Sequence, residues 1–250
     1  MFVPDLSVVF PVFNEEENLP ILMGEIARAL EDTPWSYEVI AVDDGSRDRS
    51  LAVLEELRAV HPQLRVLTFA KNSGQTAALD AGWRAARGRY VVSLDADLQN
   101  DPADIPGMLR KLEESGVDMV IGVRVNRHDT WSRRMQSKIG NGVRNWLTHD
   151  QVTDTGCSLK LVRREAVEKV KLFTGMHRFL PTLVRLQGYR VNEMPVNHRA
   201  RRFGTSKYGA MNRAFRGLVD CLAVRWMGSR LLRYEVSEVH PSRGSVEGKG

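Results

Sequence analysis

Short, nearly unbroken apolar runs alternate with amphipathic stretches through the first half of the chain. Leu6–Phe13 (LSVVFPVF), Tyr37–Val42 (YEVIAV), Leu64–Phe69, Tyr90–Leu94 (YVVSL) and Asp118–Val123 (DMVIGV) read as five strands. Between them, Leu19–Leu30, the run carrying Leu51, Leu54 and Leu57, and the Ala-rich Thr76–Ala86 have helical spacing. Pro102 suits the first turn of a further helix, where its missing N–H does no harm. Strands separated by helical segments of about 10–15 residues predict βαβ units and a largely parallel sheet. Both faces of such a sheet are covered, so its strands are apolar throughout rather than alternating. Three of these strands end in polar, acidic residues: Asn14-Glu15, Asp43-Asp44 and Asp95–Gln99. Ligands of open parallel sheets collect at the carboxyl ends of the strands, so these residues are expected to converge on one cleft.

After residue 125 the pattern loosens. Trp131–Trp146 is helix-like and basic, with Arg133, Arg134, Lys138 and Arg144. Asp154–Leu161 (DTGCSLKL) reads as a strand entered by a Gly-containing turn, Arg178–Gln187 as a helix, and Tyr189–Asn197 as a strand that Pro195 assigns to a sheet edge. His198–Gly209 is a basic, Gly-punctuated loop and Met211–Trp226 is helical again. The expected organisation is an α/β domain over 1–209, an amphipathic helix within 210–235 and a disordered polar tail over 236–250, without internal repeats.

Charge divides the chain. Residues 1–125 hold 12 Lys and Arg against 21 Asp and Glu, whereas residues 126–250 hold 24 against 10. An acidic half suits a divalent cation; a basic half suits phosphates, nucleic acid or anionic lipid. The two cysteines, Cys157 and Cys221, are too few for a metal cluster or a disulfide framework and fit a reducing compartment. The N-terminus lacks the basic region of a signal peptide, and no window approaches the ~18 apolar residues of a membrane span. The chain therefore reads as a cytosolic protein.

The chemistry concentrates in a few segments. Asp95-Ala96-Asp97, with Gln99 beyond, supplies two carboxylates and an amide oxygen directly after a strand, with Ala96 turned away by alternation. Hard oxygen donors of this kind suit Mg²⁺ or Mn²⁺ bridging a diphosphate; a helix cap before Pro102 is the plainer alternative. Asp43-Asp44-Gly45-Ser46 presents carboxylates suited to a ribose hydroxyl or base edge, or simply to a turn. GxGxxG and GxxxxGK[ST] are both absent, which disfavours a dinucleotide-binding dehydrogenase and a P-loop NTPase.

These residues carry a resemblance. PVFNEEENL at 11–19, VDDGS at 42–46, KNSGQTAAL at 71–79 and DADLQ at 95–99 are similar to the family 2 glycosyltransferases of GT-A fold. DTGCSLK at 154–160, HRFLPTLVRLQGYRV at 177–191 and VNHRARRFGTSKYG at 196–209 resemble, more narrowly, the polyprenyl-phosphate glycosyltransferases, the group of the dolichol-phosphate mannose synthases. The resemblance implies an inverting transfer of a hexose from a nucleotide diphosphate sugar (a GDP-mannose or a UDP-sugar) to a polyprenyl phosphate such as a dolichyl or undecaprenyl phosphate. It puts Pro11, Phe13, Glu15, Val42, Asp43 and Asp44 at the base and ribose, with Asp95 and Ala96 also at the nucleotide, and Asp95, Asp97 and Gln99 around Mg²⁺ or Mn²⁺ and the diphosphate. Family pockets often carry Tyr where Phe13 stands. Arg124 matches a family arginine near the acceptor phosphate, and Arg133 and Ser137, spaced i,i+4 on a helix, are expected to hold that phosphate too; Asp97 and Arg124 are the expected catalytic pair, and Arg202 and Lys207 belong to the loop over the donor.

The residue types suit that reaction. A phosphate monoester has a second pKa of about 6 and is largely dianionic at pH 7, so it needs positioning and charge compensation rather than a general base. Arginines, whose planar fork matches phosphate oxygens, fit the acceptor side. Cys157 reads as a small core residue rather than a nucleophile, and His177 and His198 receive no role. Met211, Phe215, Leu218, Leu222 and Trp226 recur at helical spacing among Arg213, Arg216, Arg225, Arg230 and Arg233, the pattern of an interfacial helix, unless the stripe faces the core. The expected partners are a nucleotide sugar, a polyprenyl phosphate and either a membrane surface or a membrane-embedded protein, at the inner face of the membrane. Two readings compete with this one: transfer to a saccharide hydroxyl, which requires a carboxylate base, and a non-catalytic nucleic-acid binder, which lacks interleaved aromatic platforms in the basic half. Nucleic acid is not an expected partner.

Overall fold

The computed structural model describes residues 3–125, 131–201 and 211–232, and the backbone alone of residues 131–139 and 211–216. The described strands are β1 (Leu6–Val12), β2 (Tyr37–Asp43), β3 (Leu64–Thr68), β4 (Tyr90–Ser93), β5 (Met119–Arg124), β6 (Lys160–Arg163) and β7 (Val191–Val196), forming one sheet in the order β3-β2-β1-β4-β6-β5-β7. The helices are α1 (Leu19–Leu30), α2 (Ser50–Val60), α3 (Gln75–Ala85), α4 (Ile105–Ser115), α5 (Trp131–Thr148), α6 (Arg164–Glu168), α7 (Leu180–Leu186) and α8 (Met211–Ser229).

Apolar runs make sense once the layers are seen. Leu6, Val8, Phe10 and Val12 of β1 join one buried cluster with α1 and α4, while Val9 joins Ile40, Val42 and Val91 in a second cluster with α3, α6 and α7. Every central strand is buried on both faces, hence its lack of alternation. Successive βα units carry the chain outward from β1 to β2 to β3, with α1 in the first cluster. α3 then crosses back over the other face to start β4 on the far side of β1. A Cβ at Gly82 of α3 would collide with Val9 Cγ1, so this crossing lies against the sheet at a separation that glycine permits. The strand order reverses between β1 and β4, and the carboxyl ends of β1, β2 and β4 share one edge.

One strand departs from the parallel scheme. β6 runs antiparallel to both β4 and β5, pairing Lys160 with Ser93 and with Ile121. The strand expected over Asp154–Leu161 is therefore corrected: residues before Lys160 form a turn. The physical reason is Asp154, whose carboxylate accepts from the backbone N–H of Gly156 at 3.1 Å and from that of Arg124 at 3.2 Å, folding the segment on itself. β7 pairs only with β5 and closes the sheet, so Pro195 does lie on an edge strand. α8 packs against α5, burying Cys221 and Val224 and setting Gly228 against Leu186. Among the described residues no helix is long and apolar enough to cross a membrane.

The opposite edge of the sheet is closed by a polar knot. Glu38 of β2 accepts from Ser7 Oγ at 2.7 Å, the Arg87 N–H at 2.7 Å and Arg65 Nη1 at 2.6 Å, and Ser7 Oγ accepts from the Gly88 N–H. Burial raises the Glu38 pKa, but these donors outweigh it and hold the carboxyl below the usual glutamate range. Its contribution to stability is thus complete above the ordinary carboxylate pKa and is lost as pH falls through the lowered folded value. Replacing Glu38 by Gln should cost about 1.5–3 kcal/mol in urea unfolding at neutral pH, the range for hydrogen bonds to a charged group. The deficit relative to the native chain should shrink once the medium is acid enough to protonate Glu38; a deficit unchanged by pH would contradict the assignment.

Candidate active site

Two loops are clasped together at the carboxyl ends of β1 and β2. After β1, Asn14 takes the left-handed conformation (φ 56°); its backbone N–H donates to Ser46 Oγ at 3.0 Å and its Oδ1 accepts from the Arg47 N–H at 2.7 Å. The Glu15 N–H donates to Ser50 Oγ at 2.8 Å. After β2, the buried Asp44 carboxylate accepts from Asn72 Nδ2 (2.8 Å), the Ser73 N–H (2.6 Å) and the Gly74 N–H (2.9 Å). Gly45 (φ 68°) lies so close to the Lys71–Asn72 backbone that a Cβ would stand 2.7 Å from the Asn72 nitrogen. VDDGS and KNSG are thus two halves of one interlock. Asp43 is buried beside them, with the Ser46 N–H at 3.3 Å and Thr68 Oγ1 at 3.3 Å.

The next strand end carries the paired carboxylates. Asp95 Oδ1 accepts from Gln75 Nε2 of α3 at 2.7 Å, and Asp97 Oδ2 is bound by Arg201 Nη2 at 2.6 Å. Burial first, then the charge of Asp97, pushes the Asp95 carboxyl up to about 6. The segment after Asp97 is held by the basic stretch beyond β7: the Arg199 N–H donates to Gln99 O at 2.9 Å, and Asn100 pairs with His198. Arg199 is in turn fixed between Glu25 (2.8 Å) and Asp101 (2.7 Å). Asp101 also caps the turn at Pro102, accepting from the Ala103 N–H at 3.0 Å.

The antiparallel strand completes the edge. Because β6 runs against its neighbours, its beginning rather than its end lies beside the ends of β4 and β5. Arg124 and Asp154 meet there in a two-point pair, Nε to Oδ2 at 2.7 Å and Nη2 to Oδ1 at 2.9 Å. Lys160, only 6% exposed, donates from Nζ to Cys157 O. Burial holds its ammonium below the ordinary lysine range, against the pull of the Cys157, Asp95 and Asp154 groups. A cavity between α3 and this region is lined by Gln75, Trp83, Asp95, Ser158, Lys160 and His177, among others. Thr76 Oγ1 accepts from the Gly175 N–H at 2.9 Å and lies 2.7 Å from His177 Nδ1. This contact ties the imidazole to α3. Burial, reinforced by Arg178 and Lys160, pushes the His177 pKa down to about 3.

The anticipated residues divide accordingly. Pro11, Phe13 and Glu15 lie half-buried on the β1 edge, and Asp43, Asp44, Asp95, Asp97, Gln99 and Arg124 belong to the same rim of the sheet. The Val42 side chain is wholly buried against α3 and Ala96 is buried in the opposite cluster, so neither side chain faces the rim. The side chains of Arg133 and Ser137, and the whole of Arg202 and Lys207, lie outside the described residues. Sequence reasoning missed Asp154, Lys160, His177, Arg199 and Arg201. DTGCSLK and HRARRFG were noted as segments, and an acid and a lysine bracketing a glycine turn in an otherwise apolar stretch is the signal that marks the first two.

Two carboxylates also fit a divalent cation by their chemistry. Asp95 is destabilised in its charged form by burial and by Asp97, a strain that a shared cation relieves. Among the described residues no third His, Cys, Asp or Glu joins them, so further ligands would be substrate oxygens and water, as is usual for Mg²⁺.

Comparison with known proteins bears on the fold and the family. The sequence pattern of Glycosyl transferase family 2 matches residues 7–171. A dodecaprenyl-phosphate galacturonate synthase of Rhizobium johnstonii is 40% identical over 240 residues, which are 94% of this chain and 70% of that protein. A mannosyltransferase from Pyrobaculum calidifontis, solved with GDP-Man and Mn²⁺, superimposes with a TM-score of 0.61 at 20% identity, over 92% of this chain and 65% of that one. Glucosyl-3-phosphoglycerate synthase from Mycobacterium tuberculosis, solved with Mg²⁺ and UDP, gives 0.67 at 21% identity, over 88% and 80%. The sheet is that of the GT-A glycosyltransferases. The chain belongs to glycosyl transferase family 2; it is an enzyme of that class, similar to the polyprenyl-phosphate sugar synthases.

A histidine with so low a pKa stays neutral while the unfolded chain's imidazole, at 6.5, takes up its proton, so its contribution to stability falls as pH drops below about 6.5. Nitrogen-15 NMR should find the His177 imidazole neutral, with unchanged shifts from pH 8 to pH 5. Replacing Thr76 by Val should move the Nδ1 resonance by removing its hydrogen-bond partner; an imidazole that titrates normally in the native protein would refute its burial.

Proposed function

We propose that this enzyme transfers a hexose-type sugar, with inversion, from a nucleotide diphosphate to a polyprenyl phosphate, assisted by Mg²⁺ or Mn²⁺ held at Asp95 and Asp97. The observation that carries the reading is the 40% identity, over 94% of the chain, to a synthase named for a polyprenyl-phosphate product. The solved neighbours add that proteins of this fold are found with Mn²⁺ or Mg²⁺ and nucleotide ligands. When bound, the cation would neutralise charge gathering on the departing nucleotide diphosphate. The chain's own residues do the remainder. Asp44, Asn14 and the clasped loops fix the donor end of the rim. The Arg124–Asp154 pair holds a guanidinium in one orientation at the acceptor end. A dianionic phosphate oxygen is already a nucleophile, so charge compensation and alignment replace a general base.

The acceptor's lipid tail calls for a bilayer, and α8 supplies a surface suited to one. Leu218, Leu222 and Trp226 stand in a line at four-residue spacing, 44%, 51% and 64% exposed, while Cys221 and Val224 on the opposite side are buried against the core. The helix therefore uses two apolar faces, and Leu218, Leu222 and Trp226 of the stripe singled out in the sequence are on the outward one; the side chains of Met211 and Phe215 lie outside the described residues. Trp146 of α5, the helix packed beside it, is exposed as well. Indoles and aliphatic side chains with arginines at hand match the headgroup boundary of an anionic membrane.

The direct test incubates the protein with Mn²⁺, a short polyprenyl phosphate and a panel of labelled UDP- and GDP-sugars; label should enter the organic phase. Asp97→Ala should reduce that transfer by about 100-fold or more, with the thermal midpoint within a few degrees of the native chain. Transfer without divalent metal, or undiminished in Asp97→Ala, would overturn the metal assignment. For the membrane face, Leu222→Asp combined with Trp226→Asp should weaken sedimentation with anionic vesicles at least ~10-fold, since each fully buried side chain of this size is worth about 1.5–3 kcal/mol. Unchanged sedimentation would remove α8 from the membrane.

A further inference from the structure

The turn that carries Asp154 is gripped from two sides. Asn141 of α5 uses both ends of its side-chain amide on it: Nδ2 donates to Thr153 O at 2.8 Å, and Oδ1 accepts from Thr155 Oγ1 at 2.9 Å. A carbonyl can only accept, so this pairing sets which way the amide faces. The two partners are the residues on either side of Asp154. One helical turn later, Asn145 Nδ2 donates to Val152 O at 3.0 Å. From β7, Glu193 accepts from the Thr153 N–H at 2.7 Å and from Thr153 Oγ1 at 2.6 Å. Asp154 itself is buried and turned toward Arg124, which it holds at two points. Its side chain has only two rotatable bonds, so the backbone on either side of it aims the carboxylate. A planar guanidinium bound in fork geometry takes its orientation from that carboxylate in turn.

We propose, resting on the acceptor reading of Arg124 given above, that Asn141 is a positioning residue for the acceptor phosphate. By clamping Thr153 and Thr155 it aims Asp154, and through Asp154 the Arg124 guanidinium. Asparagine is a weaker helix former than alanine, and inside α5 that cost is offset only by contacts outside the helix. Its amide joins a donor and an acceptor on one short stem, which an aspartate or a serine at this place could not match in the same two bonds. The clamp also sets the register of α5 against the turn. Ser137 and Arg133 occupy positions four and eight residues before Asn141, on the same broad face of the helix. One half-buried amide thus joins the helix, the turn and the end of β5 into a single unit.

The test combines kinetics with NMR, using Mn²⁺, a short polyprenyl phosphate and whichever of the labelled UDP- and GDP-sugars is transferred fastest. Asn141→Ala should raise the KM for polyprenyl phosphate about 10-fold, within the range for two neutral hydrogen bonds, and leave the KM for the nucleotide sugar within about twofold of native. Asp154→Asn should raise the acceptor KM as well. The double variant should be no worse than Asp154→Asn alone, because both changes act through one carboxylate. In nitrogen-15 spectra the Arg124 Nε–H, bonded to Asp154 in the native protein, should exchange with water faster in Asn141→Ala. An unchanged Nε–H overturns the inference, since the clamp then does not reach the arginine. Losses that multiply in the double variant, or an equal loss in Asn145→Ala, overturn it by assigning the effect to the general seating of α5. A faster Nε–H with an unaltered acceptor KM removes Arg124 from the acceptor and overturns the inference by that route. A native enzyme that moves no sugar to polyprenyl phosphate overturns the function itself, whatever the Nε–H does, and the inference with it.

Discussion

A single reversed strand determines which residues reach the rim. In an all-parallel sheet, each strand contributes only the loop beyond its carboxyl end, and a long crossover separates consecutive contributions. β6 enters between β4 and β5 in the opposite direction, so its first residue, and the turn before it, reach the rim that its neighbours leave. Asp154 and Lys160 therefore stand beside Asp95 and Arg124 without any long loop. Hydrogen bonds to strands on both sides fix this register, which no edge strand could secure as firmly.

That rim is organised as a row of fixed charges. Asp44 is saturated by three donors of the loop after β3, Asp97 is opposed by Arg201, and Arg124 is held at two points by Asp154. Side chains restrained in this way lose little further freedom when a ligand arrives, and their dipoles need little reorganisation as charge moves in a reaction. Acids and bases alternate along the row: Asp97 from the first half of the chain meets Arg201 from the second, and Arg124 from the first meets Asp154 from the second.

Most of the framework was legible because it rests on local rules. The boundaries of α1 were read to the residue, and β1 to β5 were placed within a residue or so, since buried strands and amphipathic helices declare themselves by composition. DDGS and DADLQ were visible as strand-end acids. The hidden part depended on contacts distant in sequence. Nothing near Asp154 reveals that its partner is Arg124, thirty residues earlier, and an apolar stretch such as LKLV says nothing about strand direction. Arg199 and Arg201 were passed over beside Arg202 because neighbouring arginines look alike until a Glu on α1 and an Asp after β4 select between them. The outward face of α8 was seen as a stripe, but whether it met core or solvent required the buried face of Cys221 and Val224.

The two margins of the sheet bear on how copies of this chain meet one another. β3 offers only five residues, and β7 contains Pro195, which withdraws one amide donor from the middle of its row. Short or proline-bearing borders are poor templates for strand addition, so ribbon-like growth and the aggregation it brings are suppressed at both sides.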